Sequence, residues 1–416
     1  MLAISHPGPI LPRLQGLTWQ NWDLADFAPL FIRHTLLYLE FEPGGDELCS
    51  VLKRVQSSAP QLQWLVLSSV EHQLNRSNNV VFTQTLVSLH HLMGLDFDHV
   101  PLLSEALLHL SRLPLFVSLS LLLLEHSEEP WNSSSWGGFP TLESLSLMPD
   151  EENGFIVPPA PFLRALSGAS LIKLDIKISP TVRPGEFSQL VSAIGHLRRL
   201  KFLDIYFDQQ DVGEWQGVII DGAALSPLYA IPCIRIFQMT NAPVRIQPGT
   251  IRELGRAWKD VHELTFIPPS PTHCHLHLED LASFPLNFHT LVDLTIQVHP
   301  ITEPDTWGRT AKLFLPPSLL SNLHLSKSRI SRPAEARVAH YLARLFPFAR
   351  VHHSFNLRSW GGREIAAEDV EAVAVLENVD RLKQGLKEDV LSRSFAAEKL
   401  KRAADISDSS GLTDES

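Results

Sequence analysis

The chain has 416 residues, 35 Lys and Arg against 46 Asp and Glu, and a formal net charge of −11. This balance excludes a general nucleic-acid or anionic-membrane surface, because both need clustered positive charge; basic proteins or peptides suit it better as partners. A hydrophobic fraction of 44% and a mean hydropathy of +0.02 allow a large buried core.

Cys49, Cys233 and Cys274 stand far apart and are odd in number. A disulfide framework or four-thiolate zinc site is therefore not expected, and a reducing compartment is. The start, MLAISHPGPILPRL, lacks a basic n-region and an uninterrupted apolar stretch, so it does not read as a signal peptide. The most apolar stretch, Leu113 to Leu124, is interrupted by Pro114, Ser118 and Ser120; a membrane helix needs roughly 20 apolar residues. The expectation is an intracellular protein, cytoplasmic or nuclear, with no membrane contact.

One pattern recurs along the chain: Leu, two variable residues, Leu, one variable residue, then an apolar residue. In order it reads LQGLTW (Leu14 to Trp19), LLYLEF around Leu39, LQWLVL (Leu62 to Leu67), LMGLDF (Leu92 to Phe97), FVSLSL around Leu119 and LESLSL (Leu142 to Leu147). It continues as LIKLDI (Leu171 to Ile176), LKFLDI (Leu200 to Ile205), IRIFQM around Phe237, VHELTF (Val261 to Phe266), LVDLTI (Leu291 to Ile296), LSNLHL (Leu320 to Leu325) and FARVHH around Val351. Successive copies are 22 to 34 residues apart, close to the roughly 20–29 residues of a leucine-rich repeat. A single match to so loose a pattern means little, whereas regular recurrence specifies an architecture.

Alternation within each copy predicts a short strand. Leu203 and Ile205 should face inward, with Phe202, Asp204 and Tyr206 outward. Between copies the period becomes helical, as in Leu48, Val51, Leu52 and Val55, or Phe187, Leu190, Val191, Ile194 and Leu197. Val338, Tyr341, Leu342 and Leu345 repeat it near the end. Each unit should be strand, turn, helix, turn, with prolines such as Pro60, Pro140, Pro232, Pro268 and Pro347 at the joints. The predicted fold class is α/β: an irregular leucine-rich-repeat solenoid, or horseshoe, of about 13 strand-helix units over residues 1–360. The asparagine that usually follows such strands is missing from nearly all copies, which predicts uneven curvature.

Two polar loops interrupt the pattern, Glu125 to Gly138 with Trp131 and Trp136, and Pro268 to Cys274. Beyond it, Val370, Val373, Leu376, Val379, Leu382, Leu386 and Val390 step by three or four through a charged background. Residues 361–404 are thus expected to hold an amphipathic helix, either capping the solenoid or forming a dimer seam, with a monomer expected if it caps. The Ser- and Asp-rich residues 405–416 should be disordered.

No nucleophile elbow, Walker loop, HExxH or paired CxxC pattern occurs, so no enzyme activity, catalytic residue or cofactor is expected. The strongest metal candidate is His273, Cys274, His275, His277 and Glu279. If that stretch is extended, three histidines share one face and could approach one ion. In a chain with 19 histidines it reads more simply as a polar loop, and no metal is assigned.

In this fold the residue between the two inward apolar positions points into the concave side. Through the thirteen copies that row is Thr18, Glu40, Val66, Asp96, Ser120, Ser146, Asp175, Asp204, Gln238, Thr265, Thr295, His324 and His352, with four acids and no Lys or Arg. Glu42 and Asp98 add acids beside it, Lys173 and Lys177 partly neutralise Asp175, and Tyr38, Trp64, Phe202 and Tyr206 supply anchors of the kind found at interfaces. The candidate partner-binding residues are therefore Tyr38, Glu40, Glu42, Trp64, Asp96, Asp98, Asp175, Phe202, Asp204 and Tyr206, facing a partner segment with basic and apolar side chains.

The irregular spacing, the missing asparagines and the LKFLDI-type strands resemble the repeat portion of fungal F-box leucine-rich-repeat proteins, over roughly Leu11 to Val351. The resemblance implies a non-enzymatic module whose repeats capture the substrate of a ubiquitin ligase, while an F-box of roughly 50 residues docks on a Skp-type adaptor. The first repeat begins by Leu11, so an adaptor contact is expected only if an F-box is missing from this chain. The other reading is a stand-alone leucine-rich-repeat scaffold or inhibitor.

Overall fold

The computed structural model describes residues 11–20, 27–42, 47–67, 76–97, 102–123, 138–149, 160–168, 170–179, 182–208, 219–269, 275–299, 319–326, 328 and 334–352. All thirteen repeat copies become parallel strands. The chain divides into two compact units, Met1–Val244 with Arg256–Val261, and Arg245–Gly255 with His262–Ser416.

In the first unit the strands are Gly16–Trp19 (β1), Tyr38–Phe41 (β2), Trp64–Leu67 (β3), Gly94–Phe97 (β4), Ser118–Leu123 (β5), Ser144–Pro149 (β6), Lys173–Ile178 (β7), Phe202–Phe207 (β8) and Ile236–Thr240 (β9). They pair in sequence order. Their register lines up the second leucine of each copy: Leu17, Leu39, Leu65 and Leu95 are successive partners, and so are Leu145, Leu174, Leu203 and Phe237. In the second unit Glu263–Ile267 (β10), Asp293–Ile296 (β11), Asn322–Leu325 (β12) and Arg350–His352 (β13) show the same kind of registry among themselves, through Leu264, Leu294, Leu323 and Val351. Strands that pair parallel and in sequence order, each returning through an apolar linker, constitute a leucine-rich-repeat solenoid.

Helices cover one face. In the first unit they are Glu47–Ser58 (α1), Arg76–Ser88 (α2), Ser104–Ser111 (α3), Ala160–Ala165 (α4), Pro184–Ile194 (α5) and Gly222–Leu225 (α6). Pro248–Ala257 (α7) gives residues to both units, and Ser283–Asn287 (α8) and Glu335–Leu345 (α9) belong to the second. Phe187, Leu190, Val191 and Ile194 on α5 are fully buried, as are Leu48, Val51, Leu52 and Val55 on α1. Tyr341 on α9 is only half-buried; its hydroxyl donates to the Glu279 carbonyl at 3.3 Å. Burying one such aliphatic or aromatic side chain contributes about 1.5–3 kcal/mol, so the leucine columns dominate stability. Aromatic rings fill the space between strand and helix: Phe82 stacks on Phe97 at 4.2 Å, and Phe237 meets Trp258 at 4.9 Å.

Among the described residues the expected helix does not appear in every linker. Between β1 and β2 the described residues hold a 3₁₀ turn at 27–30, because the shortest step of the repeat leaves little chain. Between β8 and β9 a single helical turn, capped by the Asp221 carboxylate accepting from the Ala224 amide at 2.9 Å, runs into the 3₁₀ turn Ser226–Ala230. Gly195, at the end of α5, lets that turn come close, since a β-carbon there would sit 2.6 Å from the Pro227 carbonyl oxygen.

Other bonds do the work of the missing asparagines. At all eight junctions of the first unit, one carbonyl before a strand accepts the first two amides of the next copy. The Gln63 carbonyl, for example, accepts from Met93 at 2.7 Å and Gly94 at 3.0 Å. Side chains add ties between successive repeats of the first unit: Thr35 and Thr141 hydroxyls donate to the Leu14 and Phe116 carbonyls at 2.9 Å, and the Trp258 indole to Leu228 at 3.3 Å.

Residues 353–416, including the amphipathic segment expected as cap or seam, lie outside the described residues, as does the loop bearing Trp131 and Trp136. Among the described residues no helix is long and apolar enough to cross a membrane.

Leu203 is 1% exposed and Asp96 lies outward and exposed. Leu203→Asp, which buries an unpaired charge, should cost on the order of 4 kcal/mol or more, and Asp96→Ala within about 0.5 kcal/mol. Chemical denaturation of both variants checks this, and equal losses would put the strand register in error.

Candidate protein-binding face

Because the leucines take the helix-covered side, every second residue of each strand stands on the opposite side. In the first unit this outward face has three columns. The first runs Tyr38, Trp64, Gly94 through partnered positions, the second Thr18, Glu40, Val66, Asp96, and the third includes Lys177 and Tyr206. Glu42 follows β2 on the same side, and its amide donates to the Trp19 carbonyl at 3.0 Å. Asp98 lies outside the described residues.

The candidate residues fall into two groups. In the first, over β1–β4, the Tyr38 hydroxyl donates to Glu40 Oε2 at 2.9 Å and the Thr18 hydroxyl to the same oxygen at 3.2 Å. Glu40 is thereby held in place on the face. The Tyr38 phenol is pushed above its ordinary pKa by burial first, then by its hydrogen bond to Glu40 and the charges of Glu40 and Asp96. No Lys or Arg stands among the described outward residues of β1–β4.

Trp64 lies between these acids, with its ring over the next strand. A β-carbon on Gly94 would fall 2.2 Å from two of its ring carbons, a distance no packing tolerates. Glycine is required there because the indole lies on the bare backbone, which buries Gly94 and leaves Trp64 half-buried. The sequence carried a signal for this contact: a glycine inside a strand marks close approach.

The second group is on β7 and β8, where Lys173 pairs with Phe202, Asp175 with Asp204 and Lys177 with Tyr206. Its charges are largely matched: Lys173 Nζ lies 2.8 Å from Asp175, and Lys177 Nζ 3.1 Å from Asp208. Asp208, just beyond β8, is a part of this group that the strand pattern did not mark. Three strand spacings of about 4.8 Å put the groups on β4 and β7 some 14 Å apart, beyond the screening length of about 8 Å at physiological ionic strength. The acids therefore form two separate fields, and the stronger unmatched one lies on β1–β4. Between them, register pairs Ser118 with Ser144 and Ser120 with Ser146, a block of small hydroxyl side chains.

In the second unit His277 precedes the 3₁₀ turn Leu278–Ala282, and its amide donates to the Asp280 carboxylate at 3.0 Å. Its ring lies 5.4 Å from that of His299. His273 and Cys274 lie outside the described residues. Among those described, no three His, Cys, Asp or Glu side chains are placed to hold a metal ion.

No family model matches the chain, and no curated protein matches it. Among solved structures it is similar to an internalin from Listeria monocytogenes, at 14% identity and a TM-score of 0.43, over 83% of this chain and 88% of that one. It is also similar to yeast Rad7 in its complex with Elc1, at 15% identity and a TM-score of 0.45, over 80% of this chain and 82% of the other.

The packing of Trp64 and the tie between Tyr38 and Glu40 can each be tested by substitution. Gly94→Ala should cost about 1–3 kcal/mol by overpacking, and Trp64→Ala in that background should recover part of the loss; a double-mutant cycle showing no coupling would remove the contact. Glu40→Gln should lower the Tyr38 phenol pKa toward its ordinary value, read by NMR titration in a chain with four tyrosines.

Proposed function

We propose that this chain is a protein–protein interaction module without catalytic activity, and that the outward face over β2–β4 receives a partner segment carrying basic and apolar side chains. The observation that carries this reading is the placement of Tyr38, Glu40, Trp64 and Asp96 on three consecutive, register-matched strands with Glu42 beside them. Exposed ion pairs contribute only about 0.2–1 kcal/mol each, and micromolar binding requires about −8 kcal/mol. Charge therefore steers the segment, and apolar contact with Trp64 and Tyr38 supplies most of the hold. A Lys or Arg over the indole would add a cation–π contact. The β7–β8 group, with Asp175, Phe202, Asp204 and Tyr206, extends the same face for a longer segment.

In this reading the module acts as a monomer inside the cell, in cytoplasm or nucleus, without nucleic-acid or membrane contact. The resemblance of its strands to F-box leucine-rich-repeat proteins supports a role in capturing ubiquitin-ligase substrates. A Skp-type adaptor enters only where an F-box belongs to the same gene product. Without one, the module is a scaffold or inhibitor. Upstream coding sequence for an F-box, together with co-elution of a Skp-type adaptor, separates these two arms.

The binding reading is tested with a random peptide display library. Peptides selected by the wild-type chain should be enriched in Lys, Arg and aromatic or aliphatic residues. Their affinity should fall about tenfold or more in Trp64→Ala, a loss of about 1.4 kcal/mol or more. The combined variant Glu40→Gln, Glu42→Gln, Asp96→Asn should keep its fold and flatten the salt dependence. Peptides without basic enrichment, or binding all variants equally at low salt, would remove this face as the site.

A further inference from the structure

The second unit repeats the outward columns with different chemistry. Register partners Glu40, Val66 and Asp96 in the first unit correspond to Thr265, Thr295, His324 and His352 in the second. The His324 and His352 rings lie 4.6 Å apart and within 16° of parallel. Both are half-buried, and Nδ1 of His324 is buried with no hydrogen-bond partner among the described residues.

We propose that this stacked pair makes the outward face of β11–β13 a proton-operated surface, closed near neutral pH and opened by charge in mild acid. Two parallel imidazoles tolerate contact only while neutral or singly charged. A second proton sets cation against cation in a partly desolvated place, where charges interact more strongly than in water. Two charged groups face the pair among the described residues. On β11 stands Asp293, whose carboxylate accepts from the Asn322 side-chain amide on β12; on β13 stands Arg350, exposed beside His352. Glu263 is one strand further away, partnered with Asp293. Among the described residues two carboxylates thus stand against one guanidinium, and the first proton on the pair cancels that excess negative charge.

The pKa of His324 is lowered, by burial first and then by His352, while Asp293 opposes the shift. The unfolded chain, with an ordinary histidine near pH 6.5, therefore takes up the proton first as pH falls. Stability from this group is complete above the unfolded value and is lost as pH drops from there toward the folded value. The histidine pair would act in this way whether or not the β2–β4 face binds a partner.

The test is an imidazole NMR titration of the full chain, with resonances assigned through His324→Gln and His352→Gln. His324 should titrate below the ordinary histidine range in the wild type and move up toward it in His352→Gln. If that variant does not fold, His352→Phe keeps a flat ring without the charge and should give the same shift. In urea denaturation, wild type should lose more stability between pH 7 and pH 5 than His324→Gln. His324 titrating in the ordinary range, indifference to the residue at position 352, or equal pH slopes for wild type and His324→Gln would each overturn the proposal.

Discussion

The contact on which the rest of the structure depends is the carbonyl shared between one repeat and the next. Consecutive amides of an extended strand point to opposite sides, so two of them reach one carbonyl only where the chain turns into the strand. That geometry, repeated from Gln15 to Lys201 in the first unit, sets where each strand begins. A strand that begins at a fixed place puts its leucine on the helix side. A one-residue slip would turn the whole apolar set outward, so the shared carbonyl and the leucine columns enforce each other. Each hydrogen bond contributes only about 1 kcal/mol net; the leucines supply most of the stability and the carbonyls the register.

Functional chemistry follows from that division. Residues committed to the helix side are nearly all apolar, and the outward columns are free to vary. On β2–β4 they carry acids and aromatic rings, on β5–β6 serines, on β7–β8 matched charges, and on β12–β13 histidines. A sheet built this way holds several chemically different surfaces on one repeated backbone. Glu40 is held by Tyr38 and Trp64 lies over Gly94, the kind of prior placement that lowers the cost of ordering side chains on binding.

The architecture was legible in the sequence because both of its periods are written in leucine and isoleucine. The inward and outward assignment of Phe202 through Tyr206 matches the burial of β8, and the apolar face of α5 is the one the spacing marks. Lateral contacts along the face were only partly legible. Alternation tells which side Trp64 occupies and nothing about its lying over Gly94, for which the glycine inside the strand is the signal; the lysines beside Asp175 mark it as partly neutralised but do not show that Lys177 lies against Asp208. The patchy acidic row expected from the sequence accordingly divides into two fields. The linkers were read too uniformly: the described residues between β1 and β2 hold a 3₁₀ turn, and those between β8 and β9 one helical turn and a 3₁₀ turn.

The claim that the outward face of β2–β4 is the binding surface is tested most directly by carboxylate footprinting, with and without a saturating library-selected peptide. Binding there predicts that Glu40, Glu42 and Asp96 lose reactivity, while Glu105 on α3 and Glu253 on α7, exposed on the helix side, keep theirs. Protection of Glu105 or Glu253, with Asp96 reacting as in the free protein, would contradict the account.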